Sequence, residues 1–269
     1  MIMVFPAYFW LVVAVAVAIS AIGFKNYIWF FSIGYGLSIA GEGILLLLLY
    51  GKQLTLGTAL CCTIFIIYGL RLGGYLAYRE VKLKSYHKHL GDELKDSKTV
   101  PFGVKITIWL FCAVLYVTMV CPVFYRLSND SGSNVFTYIG AALMLLGFLM
   151  ETVADQQKKT AKMVNPHRFV DSGLYRLVRC PNYLGELILW TGVLISGLGS
   201  LSGFGQWTMA VVGYIGIIYV MFSGARRLEL RQNKTYGSDP AYQKYSSTVP
   251  ILLPFVPLYS VVKHKWLVA

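Results

Sequence analysis

Long apolar blocks recur along this chain, and each is close in length to a helix that spans a bilayer. A helix needs roughly 20 apolar residues to cross the hydrocarbon core. The composition agrees, with 57% hydrophobic and only 13% charged residues. The sequence therefore predicts an all-α, polytopic integral membrane protein. About seven transmembrane helices are expected, over 8–24, 28–50, 54–78, 104–125, 134–154, 183–203 and 206–223.

The segments between these blocks are short, so we predict a single transmembrane domain over residues 1–269. The first block has no basic segment before it and no small-residue cleavage site after it. We therefore interpret it as a retained first helix rather than a cleaved signal.

Basic residues are concentrated in the segments that follow the third, fifth and seventh blocks. By the positive-inside rule these segments and the C-terminus are cytoplasmic, and the N-terminus lies on the opposite side. This asymmetry accounts for the net charge of +12 without nucleic acid as a partner. The basic segments could contact anionic lipid headgroups or surround a site for a phosphate-bearing cofactor. They contain Arg79, Lys82, Lys84, Lys88, Lys95 and Lys98; Lys158, Lys159, Lys162, Arg168, Arg176 and Arg179; and Arg226, Arg227, Arg231, Lys234, Lys244, Lys263 and Lys265.

Glu42 lies within the second apolar block. An ionised, unpaired carboxylate at that depth costs on the order of 3 kcal/mol on insertion scales. We therefore expect this side chain to face the protein interior and to be protonated, which makes it a candidate proton donor.

On the third block, Tyr68 and Arg71 share one helical stripe with Tyr75. That stripe could be an interfacial aromatic belt with a snorkelling arginine, or part of a site at Tyr68.

Two further pairs of polar residues have the i, i+4 spacing of one helical face. Glu151 and Asp155 repel each other in isolation, so an external donor is expected between them, either a ligand group or a cation such as Arg226. Asn182 and Glu186 follow Pro181, which is suited to the first turn of a helix. This second pair could hold hydroxyl or amide groups of a ligand where the sixth block begins.

The five cysteines lack the spacing of a metal or redox motif, and the four histidines lie outside the apolar blocks. The sequence predicts no disulfide and no metal site.

The segment Tyr175–Glu186 reads Tyr-Arg-Leu-Val-Arg-Cys-Pro-Asn-Tyr-Leu-Gly-Glu. It resembles the Arg-His-Pro-Asn-Tyr-x-Gly-Glu signature of the steroid 5-alpha-reductase family and its prokaryotic relatives, with Cys180 in place of the histidine. The resemblance extends over about 140–256, which would be the cofactor-binding half. A related Arg-His-Pro-x-Tyr motif marks the isoprenylcysteine carboxyl methyltransferases.

The resemblance implies a seven-helix membrane reductase that uses NADPH to reduce the C4–C5 double bond of a 3-oxo-4-ene steroid or a similar flat, apolar enone. In that family's pattern Glu42 matches the catalytic glutamate and Tyr68 its partner tyrosine. Asn182 and Glu186 match the Asn and Glu of the signature, and Arg226 matches the cytoplasmic arginine that follows the last helix. The positions of the family's cofactor-binding polar residues are matched by Glu151, Asp155, Lys159 and Lys162. We expect all seven residues to take part in cofactor binding.

The chemistry of enone reduction is consistent with these residue types. Hydride addition to the β carbon moves negative charge onto the carbonyl oxygen, which requires an acid or hydrogen-bond donor there. A neutral Glu42 and the phenol of Tyr68 could both serve.

The charge pattern bears on the cofactor. The chain has no strand-borne GxGxxG fingerprint, so loops and helix ends would have to hold a dinucleotide. Arginines suit a pyrophosphate and a ribose 2′-phosphate, which favours NADPH over NADH. The candidates on this ground are Arg179, Arg226, Arg227, Arg231, Lys158 and Lys162 for the phosphates, and Asn182 and Tyr236 for the riboses or the amide.

Two other functions remain open. A membrane methyltransferase that uses S-adenosylmethionine would not require the mid-membrane acid Glu42 or so many cations. A non-catalytic lipid-binding protein would leave several buried carboxyl groups unexplained. We expect a lipophilic, steroid-like substrate, contact with membrane lipid, and a monomer.

Overall fold

The computed structural model describes residues 3–82 and 100–268, and the side chains of 79–82 are not among the described ones. Lys84, Lys88, Lys95 and Lys98 of the first basic segment therefore lie outside the described residues. The described part is helical, with no strand. Its α-helices are α1 (Phe9–Ser20), α2 (Ile33–Leu49), α3 (Leu56–Lys82), α4 (Phe102–Ser128), α5 (Val135–Val164), α6 (Pro181–Ser196), α7 (Gly203–Tyr236) and α8 (Pro240–Thr248).

Several of these helices are long and apolar enough to cross a membrane, so the predicted all-α, multi-pass membrane protein is confirmed. Five spans meet both criteria: Tyr27–Leu49, Leu56–Tyr78, Phe102–Ser128, Val135–Val164 and Gly203–Tyr236. The other two predicted spans are shorter helices. Helix α1 has 12 residues and continues as the 3₁₀ helix Ala21–Phe24, and α6 has 16 residues.

Helices α5 and α7 extend well beyond the predicted apolar blocks. Helix α5 ends at Val164 rather than near 154, and α7 ends at Tyr236 rather than near 223. The extensions are rich in Lys, Arg, Gln, Glu and Ala, which are good helix formers although they are mostly polar. Hydropathy therefore marked the end of the apolar stretch and not the end of the helix. The predicted place of Pro181 in the first turn of α6 is confirmed.

The described residues divide into two compact units. One consists of the chain up to Ala141 together with Val193–Tyr214, and the other of Ala142–Gly192 together with Ile215 onwards. Helices α5, α6 and α7 each contribute residues to both.

In the first unit, α2 and α3 pack with their backbones in direct contact. A Cβ atom added to Gly69 would lie 2.2 Å from the carbonyl oxygen of Gly36, and one added to Gly36 would lie 2.7 Å from the amide of Gly73. Small residues permit this close approach, as is common between helices in membranes. The glycines thereby place the side chains of α2 against those of α3.

Arg126 links the end of α4 to other backbone segments of this unit. The side chain is buried at the end of α4 and donates three hydrogen bonds to backbone carbonyls. The acceptors are Ser196 (2.6 Å), Gly132 (2.8 Å) and Leu198 (2.6 Å). Because the carbonyls of Ser196 and Leu198 lie at and just beyond the C-terminal end of α6, the guanidinium satisfies acceptors that the helix itself cannot.

In the second unit, α5 and α6 meet through another pair of glycines. A Cβ atom on Gly147 would lie 2.4 Å from the carbonyl oxygen of Gly185, and one on Gly185 would lie 2.7 Å from the amide of Glu151.

An aromatic cluster packs in the segments outside the apolar stretches. In it Phe169 stacks on Tyr245 with ring centroids 5.3 Å apart and also contacts Tyr236 and Tyr242.

The glycine contact predicts that Gly69→Ala will destabilise the protein. The added methyl group must push α2 and α3 apart, and overpacking of this kind lowers the free energy of unfolding by about 1–3 kcal/mol. Thermal unfolding in detergent measures the change. Gly74→Ala is the matched control, since a Cβ there meets nothing within 4 Å. Alanine is the better helix former, so the control should be neutral or slightly stabilising. Equal stability of the two variants would contradict the packing argument.

Candidate functional site

Glu42 lies on α2 in the first unit and is completely buried. Neither of its carboxyl oxygens has a hydrogen-bond partner among the residues that the structure describes. Most buried polar atoms in proteins are paired, so an unpaired carboxyl group requires an explanation. In the first unit the thiol of Cys121, on α4, lies within electrostatic range of Glu42.

Ser38 lies one turn before Glu42 on the same face of α2 and is also fully buried. Its hydroxyl likewise has no hydrogen-bond partner in the described part of the chain. Serine in a helix commonly bonds a carbonyl in the preceding turn, but Ser38 does not. Three oxygen atoms with unused hydrogen-bonding capacity therefore lie within one turn of α2.

Tyr68 of α3 is fully buried in the same unit. Its hydroxyl lies 2.9 Å from the hydroxyl of Tyr35, and the ring of Tyr35 in turn lies 5.3 Å from that of Tyr116. Tyr35, Ser38 and Glu42 follow the i, i+3, i+7 spacing of one helical face. The first unit thus has a row of polar groups along α2 with the tyrosine pair at one end.

Sequence analysis did not identify Tyr35 and Ser38. The signal was available, since reading back from Glu42 at helical spacing reaches both residues. They were overlooked because an isolated serine and tyrosine in an apolar helix are common.

In the second unit, the close contact of α5 with α6 places Glu151 beside the signature segment. The Cβ atom of Glu151 would lie 3.0 Å from a Cβ atom on Gly185. Glu151 and Glu186 are both buried, whereas Asp155 is half-buried and Lys159 is exposed further along α5. The structure therefore places Glu151, of the first predicted pair, next to the segment that carries the second pair.

Tyr183 connects the signature segment to α7. A Cβ atom on Gly224 would lie 3.3 Å from its ring, which shows how closely α6 and α7 approach here. The phenol interacts electrostatically with Glu186, Arg227 and Arg231. Arg227 and Arg231 are exposed, so two guanidinium groups lie on the surface next to the buried end of the signature. Tyr183 was not among the predicted site residues.

Three predicted cofactor-binding cations instead contact the protein itself in this structure. Lys162 donates to the carbonyls of Pro166 (3.1 Å) and Arg168 (2.5 Å) and to the hydroxyl of Tyr236 (2.9 Å), which uses all three of its donors. Arg226 donates to the carbonyls of Val262 (3.2 Å) and Leu267 (3.3 Å). Arg179, the third, is buried.

Arg179 forms a buried ion pair with Glu229 of α7, with 2.9 Å between Nη2 and Oε1. The same nitrogen donates to the carbonyl of Tyr259, and the other oxygen of Glu229 accepts from the amide of Val261 (2.9 Å). The Arg179 amide donates to the carbonyl of Pro250 (2.9 Å). The arginine therefore fixes the C-terminal segment to the start of α6. Glu229 was missed by sequence reasoning, although it is the only acidic residue between Arg226 and Tyr236.

A family described as "Protein of unknown function (DUF1295)" matches residues 9–249. The chain belongs to the DUF1295 family. A relative from Schizosaccharomyces pombe, "Uncharacterized protein C594.04c", is 22% identical over 167 residues, which is 55% of this chain and 45% of that protein. The match thus spans less than half of the yeast protein. No solved structure matches the chain.

In this DUF1295 protein, Cys180 occupies the position where the reductase signature carries histidine. Its amide donates to the carbonyl of Ile251 (3.0 Å), and burial raises the pKa of the thiol to about 12. The thiol is therefore uncharged at neutral pH, whereas a histidine would titrate near that range. This position therefore supplies no group that titrates near neutral pH.

The buried pair predicts a large loss of stability in Glu229→Gln. Breaking one partner of a buried ion pair leaves an uncompensated charge, which costs about 3–5 kcal/mol. Unfolding in detergent, followed by thermal or chemical denaturation, measures this cost. The double variant Arg179→Met, Glu229→Leu should lose less than the sum of the single changes, because it removes both charges. Asp171→Asn is the control: it breaks the exposed pair with Arg168 and should change stability little. Additive single changes would contradict the pairing.

Proposed function

We propose that this protein is a membrane-embedded, NADPH-dependent reductase of the C4–C5 double bond of 3-oxo-4-ene steroids or similar flat, apolar enones. The observation that carries the proposal is Glu42, a fully buried carboxyl group whose oxygens have no partner among the described residues. A polar ligand atom, such as a carbonyl oxygen, would satisfy it. The resemblance of residues 175–186 to the reductase signature supports the same activity.

We further propose seven spans, with α1 and α6 as the additional short ones, the N-terminus outside and the C-terminus cytoplasmic. The 16 residues of α6 extend about 24 Å, which is shorter than the roughly 30 Å hydrocarbon core, and local thinning of the bilayer accommodates a short span of this kind. The positive-inside rule supports this orientation. The dinucleotide would then approach from the cytoplasm.

NADPH would supply a hydride to the β carbon of the enone. The chain's own task is to stabilise the negative charge that develops on the carbonyl oxygen. Glu42, in its acid form, donates a hydrogen bond or a proton to that oxygen, and Tyr68 donates a second hydrogen bond. The α carbon finally takes a proton from solvent or another acid. The carbonyl oxygen returns to Glu42 any proton that it accepted, so the net change is the addition of one hydride and one proton across the double bond.

The second unit has groups suited to a phosphate-bearing dinucleotide. Arg227 and Arg231 are exposed cations beside Glu186 and Tyr183. They fit a ribose 2′-phosphate or pyrophosphate, which guanidinium groups bind bidentately. Asn182 and the carboxyl groups of Glu151 and Asp155 fit ribose hydroxyls or the nicotinamide amide. Arg179, Arg226 and Lys162 position the backbone around this set, since they already bond the protein.

The activity test uses purified protein in lipid. It is incubated with a 3-oxo-4-ene steroid and NADPH, and the loss of nicotinamide absorbance is followed together with product mass. A parallel reaction replaces NADPH with S-adenosylmethionine and a prenylated cysteine. NADPH oxidation coupled to a steroid gain of two hydrogens supports the reductase. Methyl transfer without NADPH oxidation would establish the methyltransferase instead.

Glu42→Gln should abolish most of the enone reduction and leave NADPH binding intact. Glutamine fits the same space but cannot act as an acid, and loss of a general acid lowers the rate by about 100-fold or more. Steady-state rates and NADPH titration by fluorescence separate the two effects. Glu42→Asp keeps the acid at a different position and should retain more activity than Glu42→Gln. Full activity of Glu42→Gln would exclude the assigned role.

Arg227→Ala combined with Arg231→Ala should weaken NADPH binding more than NADH binding. Removing charge-assisted hydrogen bonds to a phosphate should raise the dissociation constant for NADPH roughly tenfold or more. Lys234→Ala, an exposed cation further along α7, is the control for charge alone. If the double arginine variant weakens NADPH and NADH binding by the same factor, as the Lys234→Ala control does, these arginines do not contact the 2′-phosphate.

A further inference from the structure

The segment after α8 folds back along α7 instead of extending away from it. Arg226 of α7 donates to the carbonyls of Val262 and Leu267, and the Tyr219 hydroxyl donates to the carbonyl of Trp266 (3.0 Å). Tyr219 lies within the apolar stretch of α7 and Arg226 just beyond it, about 10 Å apart along the helix. The segment therefore lies beside α7 where that helix changes from apolar to charged.

The same segment is tied to the start of α6. The amides of Arg179 and Cys180 donate to the carbonyls of Pro250 (2.9 Å) and Ile251 (3.0 Å). Helix α6 begins immediately afterwards at Pro181 and is mostly apolar. Both attachments thus lie at the ends of apolar helices, which is the level of a membrane–water interface.

Large apolar side chains of this segment point to the outside. Trp266 is 65% exposed and stacks on the ring of Tyr219 at 6.2 Å, and Val268 is 70% exposed. Leu267, between them, is buried. Tryptophan and tyrosine at this depth are typical of the aromatic belt at a membrane interface.

Phe255 is the most exposed large apolar residue of the segment, at 95%. Its φ of 64° is in the left-handed region, which costs a residue with a side chain about 1–2 kcal/mol of backbone energy. The turn is held by hydrogen bonds from Ile251 to Leu258 (2.8 Å) and from Leu258 to Val256 (2.7 Å), and Ile251 is fully buried. The fold therefore maintains a strained turn that projects a phenyl ring outward.

The charge of this surface is positive. Residues 250–268 contain no acidic side chain, and Lys263 and Lys265 are exposed. Arg176, with Phe255, Val256 and Tyr259, lines an open groove of about 340 Å³ beside the turn. Exposed aromatics among cations suit an anionic lipid surface, in which rings enter the headgroup layer and cations meet phosphates.

We propose that residues 253–268 form an interfacial segment that docks onto the anionic phospholipid surface of the membrane that the chain spans. Phe255 and Trp266 enter the headgroup layer, and Arg176, Lys263 and Lys265 contact lipid phosphates. A second copy of the chain fits less well, because two surfaces of the same positive charge repel each other. This assignment is independent of the proposed reductase activity.

The test places a nitroxide label at Phe255→Cys in the full chain, reconstituted into bilayers. The five native cysteines are all buried, so unmodified protein measures the background labelling. Power-saturation spectroscopy compares collisions with oxygen, which partitions into lipid, and with a water-soluble nickel chelate. The control is Ser238→Cys, in the turn after α7 and about 15 Å beyond the level of Arg226.

The oxygen-to-chelate ratio at position 255 should be several-fold higher than at 238. Equal ratios would overturn the proposal, because both sites would then be in water. Adding phosphatidylglycerol to phosphatidylcholine bilayers should raise the ratio at 255 further, and Lys263→Gln with Lys265→Gln should remove that rise. An unchanged ratio in both lipids would refute the anionic headgroup contact. Strong dipolar coupling between labels on separate molecules would identify a second copy as the occupant, against the proposal.

Discussion

Hydrocarbon offers no hydrogen-bond partner, so each polar group placed in it must find one within the chain. The backbone meets this requirement by forming helices throughout the described apolar stretches. The helices then approach closely at glycines, Gly36 against Gly69 and Gly147 against Gly185, because apolar side chains gain little by leaving lipid for one another. These contacts place α2 against α3 in the first unit and Glu151 beside Gly185 in the second.

Buried charged and polar side chains differ in whether they meet this requirement. Arg126 uses its donors on three carbonyls, and Arg179 pairs with Glu229 while fixing the C-terminal segment. These groups stabilise the fold. Glu42 and Ser38 have no such partners in the described chain, although both are completely buried. Arg179 is intermediate, because its Nε and Nη1 have no hydrogen-bond partner in the described chain although Nη2 is paired.

Much of this could be predicted from residue order. Glu42 was identifiable because an unpaired acidic residue in an apolar helix has a high free-energy cost. The Asn182–Glu186 pair was identifiable from its helical spacing after Pro181. Tyr35 and Ser38 could have been found by the same periodicity. The ion-pair partner of Arg179 could not be predicted, because Glu229 lies 50 residues away in the sequence and the chain has other acidic residues that could pair with that cation. The hydrogen bonds from Lys162 to the carbonyls of Pro166 and Arg168 could not be predicted either, because they depend on the path of the loop that contains those two residues.

The sequence by itself determined the all-helical membrane fold, five of the predicted spans and the burial of Glu42, because the transfer of side chains into hydrocarbon depends only on local composition. It also indicated the segment that resembles a reductase signature. Tertiary structure alone decided which cations remain exposed and how the C-terminal segment folds back on α7. Those outcomes depend on contacts between distant residues, whose geometry is set by close packing of helices and which no local pattern encodes.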